Sequence, residues 1–201
     1  MNAREQVEFV RITDETKDIE KKLKEALKVS DLLLGEGMYT FDTLKEICHK
    51  KNHYFFMLYK EGIFIGIFYC YAVKSETEIP AVRGLKLDKF SKNLGLAKSI
   101  AVLPEYVGTG VSDAALQYNT HLLFEKENVE QILVLAWMKD NHIPAGRLLE
   151  ECGYHKVEVL EQPWADISTL HCHICKTTPC KCKGVLYTKY KSSFDETKKN
   201  E

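Results

Sequence analysis

The chain has 201 residues, of which 45% are hydrophobic and 28% charged, as expected of one soluble α/β domain. Its formal net charge of −1 excludes a general affinity for polyanions, and no stretch interleaves basic with aromatic residues, so we expect no nucleic-acid partner. No apolar run approaches the ~20 residues of a membrane helix, and residues 1–6 lack the apolar core of a signal peptide. We therefore expect a cytoplasmic protein without a membrane partner.

The first half of the chain predicts a strand over residues 7–12, helices over 16–34 and 41–50, and a hairpin. The hairpin strands cover residues 54–59 and 63–73, and Lys60-Glu61-Gly62 forms the turn between them. Residues 74–93 are polar and mixed, with Pro80 and Gly84, and predict a long loop of the kind that is often functional.

The second half predicts a strand that ends at Leu103, a glycine-bearing turn, and a helix over residues 113–128. A near-continuous apolar strand over 131–137, a helix over 141–152, and strands over 155–160 and 185–190 follow. Residues 191–201 form a charged segment that we expect to be a flexible tail. This order of elements favours one mixed sheet with helices on both faces.

The turn after Pro104 has the composition of an anion-binding loop. It reads Val107-Gly108-Thr109-Gly110-Val111-Ser112 and leads directly into a helix. Glycine lets the backbone approach a ligand closely, and the free N–H groups at a helix start favour negative charge. The turn therefore predicts a phosphate or pyrophosphate site, the alternative being that its glycines only shape a turn.

A second motif begins at Asn141, continues through Ala145, and precedes Gly153-Tyr154. Its order and spacing relative to Val102-Leu103-Pro104 and the glycine turn, with an apolar strand between them, resemble the GNAT acyl-CoA-dependent N-acetyltransferases. The order of elements is similar to that family over residues 7–190.

The resemblance implies an α/β GNAT fold with a central mixed twisted sheet, in one domain over residues 1–190. It implies acetyl-CoA as co-substrate, an amine as partner, and direct attack of that amine on the thioester, with an oxyanion held by a backbone N–H around Ala101 or Val102. By this resemblance, the acyl-CoA contacts are Ile100, Ala101, Val102, Val107, Gly108, Thr109, Gly110, Val111, Ser112, Asn141 and Ala145.

The chain departs from the family pattern at three positions. Val107 replaces the usual Arg or Gln, Ser112 replaces a Gly or Ala, and Leu149 stands where a Tyr often protonates the leaving thiolate. The stretch 96–99 also lacks the Glu that many relatives carry there. The sequence therefore assigns no catalytic acid or base; the candidates for a base are Tyr69, Tyr71, His121, His142, Glu76 and Glu78.

Four cysteines cluster between the last two predicted strands, within residues 171–183. They follow the pattern Cys-x-x-Cys, four residues, Cys-x-Cys, and are Cys172, Cys175, Cys180 and Cys182. Thiolates in two such pairs are typical ligands of structural zinc, and in a cytoplasmic protein a metal is favoured over disulfides. His171 or His173 as a substitute ligand, a redox pair, an iron–sulfur site and free thiols remain alternatives.

The sequence thus favours an acetyl-CoA-dependent N-acetyltransferase with a zinc-knuckle insertion. Two alternatives stay open: an acyl-CoA sensor without turnover, and a protein-interaction module in which the zinc knuckle holds the partner. The acceptor cannot be identified from the sequence, and a homodimer is left open.

Overall fold

Seven strands form one sheet in the computed structural model, which describes residues 7–82, 85 and 90–199. The strands are β1 (Val7–Ile12), β2 (His53–Lys60), β3 (Ile63–Val73), β4 (Leu94–Val102), β5 (Gln131–Met138), β6 (His155–Leu160) and β7 (Lys183–Tyr190). Their spatial order is β1-β2-β3-β4-β5-β7-β6. Only β4 and β5 pair in parallel among these strands, so the prediction of a mixed sheet is confirmed.

Five α-helices accompany the sheet in the described part of the chain. They are α1 (Ile19–Leu33), α2 (Phe41–His49), α3 (Val111–His121), α4 (Gly146–Glu151) and α5 (Lys191–Lys199). A π-helical turn, Leu122–Lys126, extends α3. None of these helices combines the length and apolar character needed to cross a membrane.

The helices cover both faces of the sheet, as predicted. On one face, Leu23 of α1 and Leu44 of α2 pack in a core that also contains Phe55 of β2. On the other, Leu116 of α3 packs in a second core with Phe68 of β3. Because side chains alternate along a strand, β3 supplies Tyr69 and Tyr71 to the first core and Phe68 and Cys70 to the second.

Three segments differ from the sequence prediction in their secondary structure or its bounds. The C-terminal segment was expected to be flexible, but residues 191–199 form α5, and the Phe194 ring lies 5.1 Å from that of Phe124. The helix expected from residue 141 begins only at Gly146, because Asp140 and Asn141 adopt positive φ angles of 49° and 62°. The expected long loop contains two 3-10 turns with Ile79 and Val82 buried, although residues 83–84 and 86–89 lie outside the described residues.

His53 lies in a cluster of aromatic rings on the first face. Its ring stacks on Tyr71 at 4.9 Å, and its Nδ1 lies 2.5 Å from the Tyr69 hydroxyl. Burial lowers the pKa of His53 to about 4, and the nearby Lys50 ammonium adds to the shift. The neutral imidazole is thus the form that the folded state favours.

We expect this histidine to make stability depend on pH. Its folded-state pKa lies below that of an unfolded histidine, about 6.5, so the unfolded chain binds more protons between these values. The free energy of unfolding should therefore fall as the pH drops from about 6.5 to about 4. Denaturant unfolding of His53→Gln should show a flatter pH dependence, whereas His155→Gln, an exposed change on β6, should match the parent. Equal slopes in the parent and His53→Gln would contradict this assignment.

Candidate active site

The sheet opens where the parallel pairing of β4 and β5 ends. The paired residues run from Leu94 and Gln131 to Ala97 and Val134, although both strands continue for several residues. At the same point β4 carries a bulge: Ala97 pairs with Cys70 and Ser99 with Tyr69, which leaves Lys98 as the extra residue. A bulge bends its strand and increases the local twist, so β4 and β5 diverge beyond it.

A cavity of about 520 Å³ occupies this gap. Its floor comes from β4 (Ala97 to Ile100) and β5 (Val134 to Trp137), and one wall comes from the glycine turn and α3. The other lining residues are Pro144, Ala145, Leu148, Leu149, Leu34, Met38 and Trp164. The lining is largely apolar and its volume is typical of a small-molecule or cofactor site.

The glycine turn presents backbone to this cavity. Gly108 and Gly110 have φ angles of 80° and 84°, a left-handed conformation that L side chains rarely adopt. The Ala114 N–H donates to the Gly110 carbonyl (2.9 Å), which makes Gly110 the N-cap of α3. The N–H groups of Val111 and Ser112 precede that first helical bond, so they have no acceptor within the helix. A Cβ on Gly108 would meet nothing within 4 Å, so the space in front of the turn is open.

The structure brings only part of the expected acyl-CoA set to the cavity. Lining it are Ile100, Val107, Gly108, Gly110, Ser112 and Ala145. Outside the lining are Ala101, Val102, Thr109, Val111 and Asn141. Ala101, Val102 and Val111 are buried in the two cores, and the Thr109 hydroxyl donates to the Tyr106 carbonyl (2.7 Å). Asn141 is exposed, in the turn that joins Lys139 to His142.

None of the six candidate bases lines the cavity. The Glu78 carboxylate accepts from the backbone N–H groups of Lys74 and Ser75, and so caps a 3-10 turn. His142 is in an exposed turn, and the His121 ring lies 6.3 Å from that of Phe194. Tyr71 borders a smaller recess that shares Lys98 and Trp164 with the cavity. Burial raises the pKa values of Tyr69 and Tyr71, so both remain neutral phenols at physiological pH.

The position that the resemblance assigns to a proton donor is apolar. Leu149 is buried and lines the cavity, and its side chain has no proton to give. The Tyr154 hydroxyl is also buried, 2.7 Å from that of Thr120, within the second core and away from the cavity lining.

Sequence reasoning missed Lys98, Trp137 and Trp164 as lining residues. Lys98 faces the cavity because of a bulge that depends on cross-strand register, for which the sequence carries no local signal. The two tryptophan rings lie 4.8 Å apart although they belong to distant segments.

The four clustered cysteines converge on one point. Their sulfur atoms all lie within 4.8 Å of one another, with Cys172 and Cys182 at 3.6 Å and Cys175 and Cys180 at 3.9 Å. A tetrahedral zinc site with Zn–S bonds of ~2.3 Å requires sulfur atoms about 3.8 Å apart. The cluster therefore has the donors and the spacing of a metal site, and the four cysteines could hold a metal. Neither His171 nor His173 belongs to this group of ligand atoms.

The cysteine segment also supports the wall of the cavity. The His171 N–H donates to the Glu36 carbonyl (2.7 Å), and the Thr169 hydroxyl donates to the Gly37 carbonyl (2.7 Å). A Cβ on Gly37 would lie 2.0 Å from the Thr169 carbonyl oxygen, so this approach requires glycine. The connection between α1 and α2, which carries Met38, is thereby held against residues 169–171.

Comparison with known proteins identifies the fold and its family. The family model described as Acetyltransferase (GNAT) family matches residues 21–154, which is more than half of the chain. The chain therefore belongs to the GNAT acetyltransferase family, as the two motifs predicted. A comparison with curated protein sequences finds no match.

Solved structures agree with this fold. NAA60 of Arabidopsis thaliana in complex with a bisubstrate analogue aligns with a TM-score of 0.66 at 12% identity, covering 92% of this chain and 98% of that one. Mutant forms of the spermidine/spermine N-acetyltransferase SpeG of Vibrio cholerae give 0.65 at 14% identity, covering 96% of this chain and 99% of that one. The ribosomal-protein-S18-alanine N-acetyltransferase of Escherichia coli gives 0.61 at 15% identity, covering 92% and 93%. At such identities these likenesses concern the fold.

Proposed function

We propose that this protein transfers an acetyl group from acetyl-CoA to an amine. The observation that carries the proposal is the cavity between the diverging β4 and β5, which runs from the glycine turn into the sheet. Such a cavity suits a ligand with an anionic end and a long, thin arm. The backbone N–H groups at the start of α3 suit the pyrophosphate, and the apolar strand gap suits the arm that carries the thioester.

The exposed edge of β4 offers a donor for the oxyanion. The Leu103 N–H donates to the Ile65 carbonyl of the neighbouring segment, at 2.9 Å. Successive residues of a strand direct their N–H groups to opposite sides. The Ala101 N–H therefore points to β3, and the Ile100 N–H points to the gap. Ile100 also lines the cavity, so we assign the oxyanion-stabilising N–H to Ile100.

The reaction proceeds by direct attack. The neutral amine forms a bond to the thioester carbonyl carbon, the C–S bond breaks, and CoA leaves as a thiolate. Leu149 offers no proton, no described glutamate lines the cavity, and the Asp113 carboxylate accepts hydrogen bonds from Gln117 and Cys152. We therefore assign to water the transfer of protons to and from the reacting groups. Rate enhancement then depends on holding amine and thioester together and on the Ile100 N–H.

The Gly108→Ala variant tests the donor site. A Cβ there projects into the open space in front of the turn and strains a left-handed backbone, so acetyl-CoA affinity should fall about tenfold, or ~1.4 kcal/mol. Gly62→Ala is the matched control: Gly62 also has positive φ and open space, but it lies in the β2–β3 hairpin. Titration calorimetry should show weaker binding only in Gly108→Ala. Equal affinities would contradict the placement of the pyrophosphate.

A panel of amines tests turnover. The protein should release CoA thiol from acetyl-CoA with at least one acceptor class, starting from spermidine and a peptide with an N-terminal alanine, since relatives of this fold act on them. Thiol release and acetylated product, measured together by absorbance and mass spectrometry, should rise in equal amounts. Binding of acetyl-CoA without product across the panel would support the sensor, and absence of binding would overturn both.

We further propose that Cys172, Cys175, Cys180 and Cys182 hold a structural zinc ion. The convergence of four sulfur atoms at tetrahedral spacing supports this. Four cysteine ligands would also complete the coordination of a tetrahedral zinc ion, as in structural sites. The ion would join the two cysteine pairs and so fix residues 169–171, which hold the α1–α2 connection beside the cavity. Its role is thus in shaping the acceptor side rather than in the chemical step.

Metal analysis tests the zinc site. The purified protein should contain about one zinc ion per chain, and a strong chelator should lower its Tm by several degrees. Cys172→Ser should lose the metal, whereas Cys48→Ser, outside the cluster, should retain it. Native protein that is free of metal, with all four thiols reduced, would overturn the assignment even if the Cys172 variant fails to fold.

A further inference from the structure

Lys98 places an amine inside the cavity. As the bulge residue of β4, it has no partner on β3, and it is positioned where β4 and β5 separate. Its side chain is half-buried and lines both the cavity and the smaller recess beside Tyr71. The apolar side chains of Leu135 and Trp164 line the same two spaces.

No counter-ion holds this amine within the described part of the chain. The ion pairs there involve Arg147, Lys183 and His49, and no hydrogen bond joins Lys98 Nζ to another residue. The other ionisable side chain that lines the cavity, Asp113, belongs to α3 and bonds to Gln117 and Cys152. Asp166, which borders the smaller recess, is exposed.

This setting activates a lysine as a nucleophile. Desolvation lowers the pKa of Lys98, and no charged neighbour contributes to the shift. Each unit by which a lysine pKa falls towards neutrality raises the fraction of neutral amine about tenfold. A neutral amine in an apolar pocket is the form that attacks carbonyl carbon.

We propose that Lys98 is itself an acetylation site, modified by the acetyl-CoA bound in the same cavity. The inference rests on the proposed function for its acyl donor. The lone pair of Nζ forms a bond to the thioester carbonyl carbon, the C–S bond breaks, CoA leaves as a thiolate, and the extra proton on nitrogen passes to water. The product is an amide.

An amide at this position has a lasting effect on the cavity. It is too stable to pass its acetyl group to a second amine, so modified Lys98 is an end state and not an intermediate of turnover. It removes the positive charge and fills space between β4 and β5, so acetylation would change which acceptors the cavity admits.

The experiment needs no knowledge of the acceptor. The full-length protein is incubated with acetyl-CoA alone, and peptide mass spectrometry follows acetylation at each lysine over time. Lys98 should be acetylated at least about tenfold faster than Lys45, an exposed lysine on α2. Its rate should saturate with acetyl-CoA, and excess free CoA should slow it while leaving Lys45 unaffected.

Two variants sharpen the result. Lys98→Arg keeps the positive charge and should lose the fast-acetylated site, while Gly108→Ala should slow Lys98 but not Lys45. The wild-type time course decides the matter even if a variant misfolds. Equal rates at Lys98 and Lys45, with acetyl-CoA binding seen by calorimetry, would overturn this inference and leave the proposed function standing. Failure of acetyl-CoA to bind would overturn both.

Discussion

The structure depends on the point at which two parallel strands stop pairing. A sheet interior normally satisfies every backbone N–H and carbonyl, and leaving several of them without a partner costs free energy. Here the parallel pairing of β4 with β5 ends at Ala97 and Val134. The two strands separate at the bulge formed by Lys98. The antiparallel neighbours on both sides keep the sheet continuous, so the gap cannot close by a slip of one strand. The unpaired edge is thereby available to a ligand.

The cavity beside this edge offers little acid–base chemistry. Leu149 and the other lining residues are mostly apolar, and the tyrosines of the first face are held as neutral phenols. An apolar lining strengthens the interaction between a backbone N–H and a developing negative charge. Under the proposed function, catalysis therefore depends on position and on the backbone, and Lys98 is the amine that lines the same cavity.

Local sequence signals predicted much of the fold but less of the site. The bounds of β3 and β6 follow from alternation and from flanking turn residues, and both were predicted to the residue. The glycine turn and the four cysteines were also readable, because each motif is contiguous. The place of Lys98 in the cavity and the contact between Trp137 and Trp164 could not be predicted. The first depends on strand register and the second on contacts between distant segments. The C-terminal helix was not predicted because its sequence is mostly charged and polar. Its one aromatic residue, Phe194, packs on the second core.

The backbone contacts between residues 36–37 and 169–171 join a part of the chain that the family model matches to a part that lies beyond the match. The match ends at residue 154, so the glycine turn and both strands of the gap belong to the shared portion, whereas Trp164 and the cysteine segment lie beyond it. All the residues that line the cavity lie within the matched portion except Trp164. Substitutions in residues 160–182 would therefore reach the cavity through Trp164 and through the contacts with the α1–α2 connection, while the glycine turn and the strand gap stay intact.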